Sequence, residues 1–179
     1  MASSITIKYY QSPVGELILG EYSGKLCICD WRYRKMRDAV DKRIQEALDC
    51  CYTVGESDLL DVTIAQFKEY FVGKRRVFDV PLLPIGTEFQ KRVWDQLLTI
   101  PYGETYSYLQ LSKKLGNEKT IRAVASANGA NAISIIIPCH RIIGADGSLT
   151  GYAGGLPAKK KLLSLEDALP NQQLSLFKL

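Results

Sequence analysis

The run Pro81-Leu82-Leu83-Pro84-Ile85-Gly86 constrains this chain more than any other stretch, because neither a helix nor a central strand can pass through it. Proline removes a backbone donor, fixes φ, and pushes the residue before it out of the helical region. Upstream of that break the apolar residues alternate: Ile5, Ile7 and Tyr9, then Leu17 and Leu19, and again across residues 26–30 after Ser23-Gly24. Alternation punctuated by turn residues predicts antiparallel strands. The stretch Arg37 to Cys51 is rich in helix formers. Ser57 to Phe71 carries Leu60, Ile64, Phe67 and Phe71 at helical spacing before Gly73, so two helices are expected to cover the sheet.

Downstream, Thr87-x-x-Gln90 has the form of a capping box opening a helix with Phe89, Val93 and Leu97 on one face. After a turn at Pro101-Tyr102-Gly103, Ser107 can cap a short helix running through Leu115. Gly116-Asn117 then ends it before a second helix from Glu118 to about Ala127. Two short helices across a glycine turn form a helix-turn-helix candidate. Ile133 to Ile137 reads as a buried β-like run ending at Pro138. A glycine-studded loop, Gly144 to Gly155, leads to a closing helix around Ala158–Glu166. The expected class is α+β. Residues 1–85 form a small antiparallel sheet with covering helices, residues 86–168 a mainly helical domain with the helix-turn-helix and a reactive cysteine, and residues 169–179 a tail.

With 179 residues and 46% hydrophobic content, the chain can build an ordinary globular core. The first residues lack a signal peptide's basic and apolar regions, and no apolar stretch approaches membrane-spanning length, so a soluble cytoplasmic protein without a membrane partner is expected. Five cysteines, two of them the neighbours Cys50 and Cys51, argue against a complete disulfide framework. Cys27-x-Cys29, Cys50-Cys51 and a single histidine also do not match zinc spacing, and no metal is expected. A net charge of +4 is compatible with a polyanionic partner but does not require one.

A free cysteine is usually a small buried hydrophobe, but Cys139 has unusual neighbours. It follows an apolar run and Pro138, sits where a helical turn can begin, and adjoins His140 and Arg141, all of which favour thiolate over thiol. His140 is the chain's only imidazole and hence its candidate base. Adjacent residues on a helical turn point about 100° apart, so a bridging water is expected between the two side chains. Such a base needs an orienting group, and Glu166 on the closing helix can supply it.

These motifs taken together, Pro138-Cys139-His140-Arg141, Tyr106-Ser107-Tyr108, Ile121-Arg122-Ala123-Val124 and Tyr152-Ala153-Gly154-Gly155, resemble in order and spacing the O6-alkylguanine-DNA alkyltransferase family. The likeness runs through residues 86–166. The first half, with Ser12-Pro13-Val14-Gly15, is similar to the family's ribonuclease H-like N-terminal domain. The resemblance implies repair of double-stranded DNA by a monomer that needs no cofactor. The alkyl group of O6-methylguanine, and of O4-methylthymine, passes to Cys139 from a flipped nucleotide, and the protein is consumed. It makes His140 a water-linked base, Glu166 its orienter, Tyr108 a hydrogen-bond partner of the flipped guanine, and Asn131 a brace for the active-site turn. Arg122 would fill the gap in the base stack, with Ala123, Ser126 and Ala127 small enough for close minor-groove approach and Arg141 also at the DNA. Pro138, Tyr152, Ala153 and Gly154 would shape the pocket.

Two positions depart from the family pattern: Gly129, where relatives commonly carry arginine, and Ala132, where they carry proline. Both bear on DNA affinity and loop rigidity. In the tail, Gln173-Leu174-Ser175-Leu176-Phe177 resembles the peptide with which bacterial repair proteins bind the sliding clamp. Two other functions fit parts of the sequence. An alkyltransferase-like binding protein would lack the acceptor cysteine. A cysteine hydrolase would use the Cys–His pair but has no evident role for Arg122.

Overall fold

A computed structural model describes residues 4–169 of the chain. Three antiparallel strands open it, β1 (Ile5–Ser12), β2 (Gly15–Tyr22) and β3 (Lys25–Trp31). The first two are joined through Pro13-Val14, where the Ser12 hydroxyl donates to Gly15 O at 2.5 Å and so closes the turn. Helix α1 spans Arg37–Leu48 and stops at Asp49, whose φ of 49° places it in the left-handed region. The expected helix is therefore three residues shorter than the sequence suggested, and a fourth strand, β4 (Tyr52–Val54), follows it. β4 pairs parallel to β1, which makes the sheet mixed, in the order β3-β2-β1-β4.

Helix α2 (Asp58–Phe71) starts at Ser57, whose hydroxyl accepts from Leu60 N. It buries Leu60, Phe67 and Tyr70 against the sheet face that displays Leu17 and Leu19, while α1 covers the opposite face through Val40 and Ile44 against Ile5, Ile7 and Ile18. The alternation along β2 thus divides its side chains between two cores. Each such side chain contributes roughly 1.5–3 kcal/mol of burial free energy.

Beyond the proline break, α3 (Glu88–Leu98) begins with the expected capping box, in which Thr87 and Gln90 exchange hydrogen bonds of 2.9 and 3.2 Å. A short strand β5 (Tyr106–Ser107) leads into α4 (Tyr108–Lys114), capped by a second box between Ser107 and Gln110. Gly116 turns the chain with φ 89°, Asn117 caps a single 3-10 turn at Glu118–Thr120, and α5 follows at Ile121–Gly129. The second helix of the pair accordingly begins later and ends later than its sequence suggests. Strand β6 (Ile142–Ile143) pairs parallel to β5, and α6 (Leu156–Leu165) closes the described chain with Glu166 as its C-cap.

The run Ile133–Ile137 is buried throughout but is not a strand. Ile135 has φ 72°, and the amide of Ile137 donates to Ile133 O at 2.9 Å, so the segment folds into a turn. A β-branched residue in the left-handed region is strained and has to be held by its surroundings. One limb of the turn lies along the free edge of β3, where Cys29 N donates to Ala132 O at 2.8 Å and Ser134 N to Cys29 O at 2.6 Å. The proline segment occupies the same edge, with Leu26 N donating to Pro81 O and Leu83 N to Leu26 O, both at 2.8 Å. The edge of the first sheet is thereby closed by the proline segment and by the turn from the second half of the chain. One large core joins the halves, since Leu17, Trp31 and Phe67 cluster with Trp94, Val124, Ile137 and Leu162.

Candidate active site

Cys139 opens a one-turn 3-10 helix, Cys139–Arg141, directly after Pro138, and is 3% exposed. The Asn131 side chain clasps the turn that leads to it. Asn131 Oδ1 accepts from Ile133 N at 2.9 Å, while Nδ2 donates to Ile137 O at 2.9 Å and to Cys139 Sγ at 3.2 Å. Burial pushes the Cys139 thiol above its ordinary pKa; the Asn131 amide opposes that shift, as do the more distant charges of Lys159 and Arg34, while Asp30 reinforces it. A donor aimed at sulfur favours the thiolate.

His140 is fully buried, and its Nε2 lies 2.9 Å from Glu166 Oε1. Burial pushes the imidazole below its ordinary pKa, and the Arg141 and Lys159 charges act in the same sense against the pull of Glu166. Glu166 also accepts from Arg141 Nε at 2.8 Å, from Arg141 Nη2 at 3.0 Å and from the Tyr70 hydroxyl at 2.7 Å. Burial disfavours its charge, but hydrogen bonds from His140 and Arg141 and the adjoining guanidinium hold it down to about 2. An ionised carboxylate can only accept, so His140 Nε2 carries the proton and donates. The neutral ring then presents Nδ1 as a lone-pair acceptor, and among the described residues that atom is buried without a partner. The turn thus carries a thiol that accepts an amide hydrogen bond and, next to it, an imidazole held in one tautomer.

A cavity of about 200 Å³ reaches Cys139 between α4, α5 and the glycine loop, lined by Tyr108, Ala125, Asn128, Gly129, Asn131, Gly151, Tyr152 and Ala153. Burial pushes the Tyr108 phenol up, so it stays a proton donor at neutral pH. Of the residues expected to form the pocket, Tyr152 and Ala153 do so, whereas Pro138 faces a separate groove with Tyr102 and Arg141. Gly154 has another duty. A Cβ there would come within 2.2 Å of the Trp31 ring, so its missing side chain admits a tryptophan from β3.

Arg122, Ala123 and Ser126 lie on the exposed face of α5. Ala127, expected beside them, is instead 2% exposed and faces the core, where its carbonyl accepts from Trp94 Nε1 at 2.8 Å. Arg141, also expected at the DNA, is 7% exposed, and its guanidinium is committed to Glu166 and to Ile100 O at 2.6 Å. Its basic character serves the interior because the one-turn helix points it inward. Sequence reasoning missed Tyr70 on Glu166, and Lys159, whose buried ammonium donates to Ile142 O and Thr150 O and is lowered by burial to about 8. Neither carries a local motif; a lysine on an apolar helix face was the one visible signal.

No helix among the described residues is long and apolar enough to cross a membrane, and no group of three metal-ligating side chains occurs among them. The segment Gln173–Phe177 lies outside the described residues.

Comparison with known proteins extends the likeness through the whole chain. Residues 88–168 match the family model described as the 6-O-methylguanine DNA methyltransferase DNA binding domain, and residues 5–84 the model of its ribonuclease-like domain. A methylated-DNA–protein-cysteine methyltransferase of Methanosarcina acetivorans is 42% identical over 158 residues, covering 88% of this chain and 95% of the relative. The protein of that name from Mycobacterium leprae is 41% identical over 169 residues, covering 93% and 94%. Among solved structures, Mycobacterium tuberculosis OGT in complex with DNA superposes with a TM-score of 0.77 at 39% identity, covering 97% of this chain and 99% of that one. Both halves match the family's models and the identity over nearly the whole chain is too high for a shared fold alone, so the chain belongs to the methylated-DNA–protein-cysteine methyltransferase family.

Proposed function

We propose that this protein, a cytoplasmic monomer, repairs double-stranded DNA by transferring the alkyl group of O6-methylguanine, and of O4-methylthymine, to Cys139. The observation that carries the reading is the pairing of a donor on sulfur with an oriented, partnerless base nitrogen next door. His140 Nδ1 takes the Cys139 proton through a bridging water, with Glu166 fixing the tautomer. The thiolate attacks the methyl carbon, the carbon–oxygen bond breaks, and its electron pair stays with the guanine oxygen. A proton returns to the base as Tyr108 donates a hydrogen bond to it. The products are guanine and S-methylcysteine. Demethylating the thioether would have to expel a thiolate from an unactivated carbon–sulfur bond, so each molecule reacts once.

The substrate atom is inside the duplex, so the nucleotide has to leave the stack to reach the cavity. The exposure of Arg122 on α5 supports this as the side chain that would fill the gap, with the exposed Ala123 and Ser126 small enough for close approach to the groove. Arg122→Ala should slow transfer from duplex about tenfold, in the range of a lost specific contact, and leave transfer from the free base O6-methylguanine unchanged. The tail motif Gln173-Leu174-Ser175-Leu176-Phe177 supports recruitment to a bacterial sliding clamp. Deleting residues 172–179 should abolish clamp binding and spare transfer to a short oligonucleotide.

The direct test is intact-protein mass after mixing with an oligonucleotide carrying O6-methylguanine. A gain of one methyl that disappears in Cys139→Ala is expected; no gain on wild-type protein rejects the reading.

A further inference from the structure

The turn that braces Cys139 is held from outside its own half of the chain. Gly129 O accepts from Arg34 Nη2 at 2.7 Å, Ala130 O from Arg43 Nη2 at 2.8 Å, Asn131 O from Arg34 Nη1 at 3.1 Å, and Ala132 O from Cys29 N at 2.8 Å. Consecutive carbonyls are thus each bound by a donor that lies upstream of the proline break. The first two belong to the end of α5, where a helix leaves its carbonyls without partners and its dipole attracts cations. Arg34 alone spans both the helix end and Asn131.

Arg34 is itself fixed. The Asp30 carboxylate, whose side chain is 0% exposed, accepts from Arg34 Nη1 at 2.8 Å and Arg37 Nη1 at 3.0 Å, and its other oxygen accepts from Ser134 Oγ at 3.1 Å. Asp30 and Arg34 therefore grip the turn on both sides of Asn131, the residue whose amide reaches Cys139 Sγ. A buried ion pair adds little net stability compared with apolar side chains of the same size, because desolvation offsets the Coulomb gain. What the planar, many-donor guanidinium supplies here is fixed geometry.

We propose that Arg34, locked by Asp30, is a positioning residue for Cys139: it holds Asn131 at the end of α5 where its amide meets the sulfur, so the N-terminal half of the chain sets the reactivity of the cysteine. This rests on the reading of Cys139 as the alkyl acceptor. The charged groups facing the thiol are Asp30, Arg34 and Lys159, with the Tyr108 and Tyr152 phenols beside it and His140 next in sequence. Each stays in place in the variants below except the one replaced.

The test compares Arg34→Met and Arg34→Lys with Arg43→Met, which removes a donor from the same helix end without touching Asn131. Four readings are taken on each full-length protein: melting temperature, affinity for an unmodified duplex, single-turnover methyl transfer at saturating methylated duplex, and the pH dependence of Cys139 alkylation by iodoacetamide without DNA, located by peptide mass. Arg34→Met should slow transfer about tenfold or more, as small misplacements of reacting groups do. It should also move the midpoint of iodoacetamide alkylation to higher pH while duplex affinity stays within about twofold. Arg34→Lys should recover part of both, and Arg43→Met should lower the melting temperature without moving the midpoint. An unmoved midpoint and wild-type rate in Arg34→Met overturn the proposal whatever its stability, and so does a loss of duplex affinity equal to the loss of rate. Should Arg34→Met not fold, Arg34→Gln and Arg34→Lys give the same readings, and an unmoved midpoint in Arg34→Gln overturns it. A wild-type protein that takes no methyl, with the midpoint still shifting in the variants, would sink the function and leave the positioning role standing.

Discussion

Cys29 and Cys139 sit on opposite sides of the same turn, both buried, yet their sulfurs face opposite kinds of partner. Cys29 Sγ lies 3.6 Å from Ser134 O, to which it donates, with the Asp30 carboxylate next in sequence. Burial and then that negative charge push its thiol well above the ordinary value. Cys139 Sγ instead accepts from the Asn131 amide at 3.2 Å, with positive charge from Lys159 and Arg34 offsetting part of its burial. A carbonyl stabilises S–H and an amide stabilises S⁻. Depth is common to both cysteines, so what sets them apart is the sign of the neighbouring dipole, together with the imidazole and the cavity beside Cys139.

The largest test of that contrast removes the dipole. Asn131→Ala should slow methyl transfer at saturating duplex by on the order of 100-fold, and it should lose about 2 kcal/mol of stability because Ile133 N loses its buried partner and Ile137 O keeps only Cys139 N. Rapid-quench kinetics and chemical denaturation measure the two effects, and a change of rate below about twofold would break the comparison.

A second test concerns the base beside Cys139, which Cys29 lacks. Glu166 lies at about 2 against an ordinary 4.5. Its ionised form therefore stabilises the fold fully above about pH 4.5 and the contribution fades as pH falls toward 2, by roughly 3 kcal/mol in all. Denaturation at stepped pH should show this acid limb in the wild type and its absence in Glu166→Gln. Smaller still, Tyr70→Phe removes one of four donors to Glu166 and should cost about 1 kcal/mol with a few-fold slower transfer. The smallest effect belongs to Cys29→Ala. That variant should lose about 1 kcal/mol of packing, read by thermal melting, and transfer methyl at the wild-type rate; a slower rate would show that both thiols matter.

Local chemistry made much of this legible in the chain. The boxes Thr87/Gln90 and Ser107/Gln110 and the turn glycines mark helix ends through contacts between residues a few positions apart. Cys139, His140 and Glu166 are recognisable by residue type, with the resemblance to a family supplying their roles. What stayed hidden depends on contacts across the proline break. β4 is three residues long and exists because Ile5 to Ile7 offer it an edge. The apolar run Ile133–Ile137 satisfies a strand pattern equally well, and only the Asn131 clasp bends it at Ile135. Tyr70, Asp30 and Arg34 carry no motif because the groups they hold in the second half, Glu166, Ser134 and Asn131, lie 96 to 104 residues away. Arg141 and Ala127 misled for the converse reason, since a basic residue near a DNA-reading motif and a small residue on its helix look like interface until burial is known.

What most directly separates Cys139 from the other four cysteines is which sulfur takes the alkyl group. After reaction with a duplex bearing O6-methylguanine, peptide mass mapping over Cys27, Cys29, Cys50, Cys51 and Cys139 should find one methyl per protein, on Cys139 alone. Methyl on any other cysteine, or more than one per molecule, would contradict it.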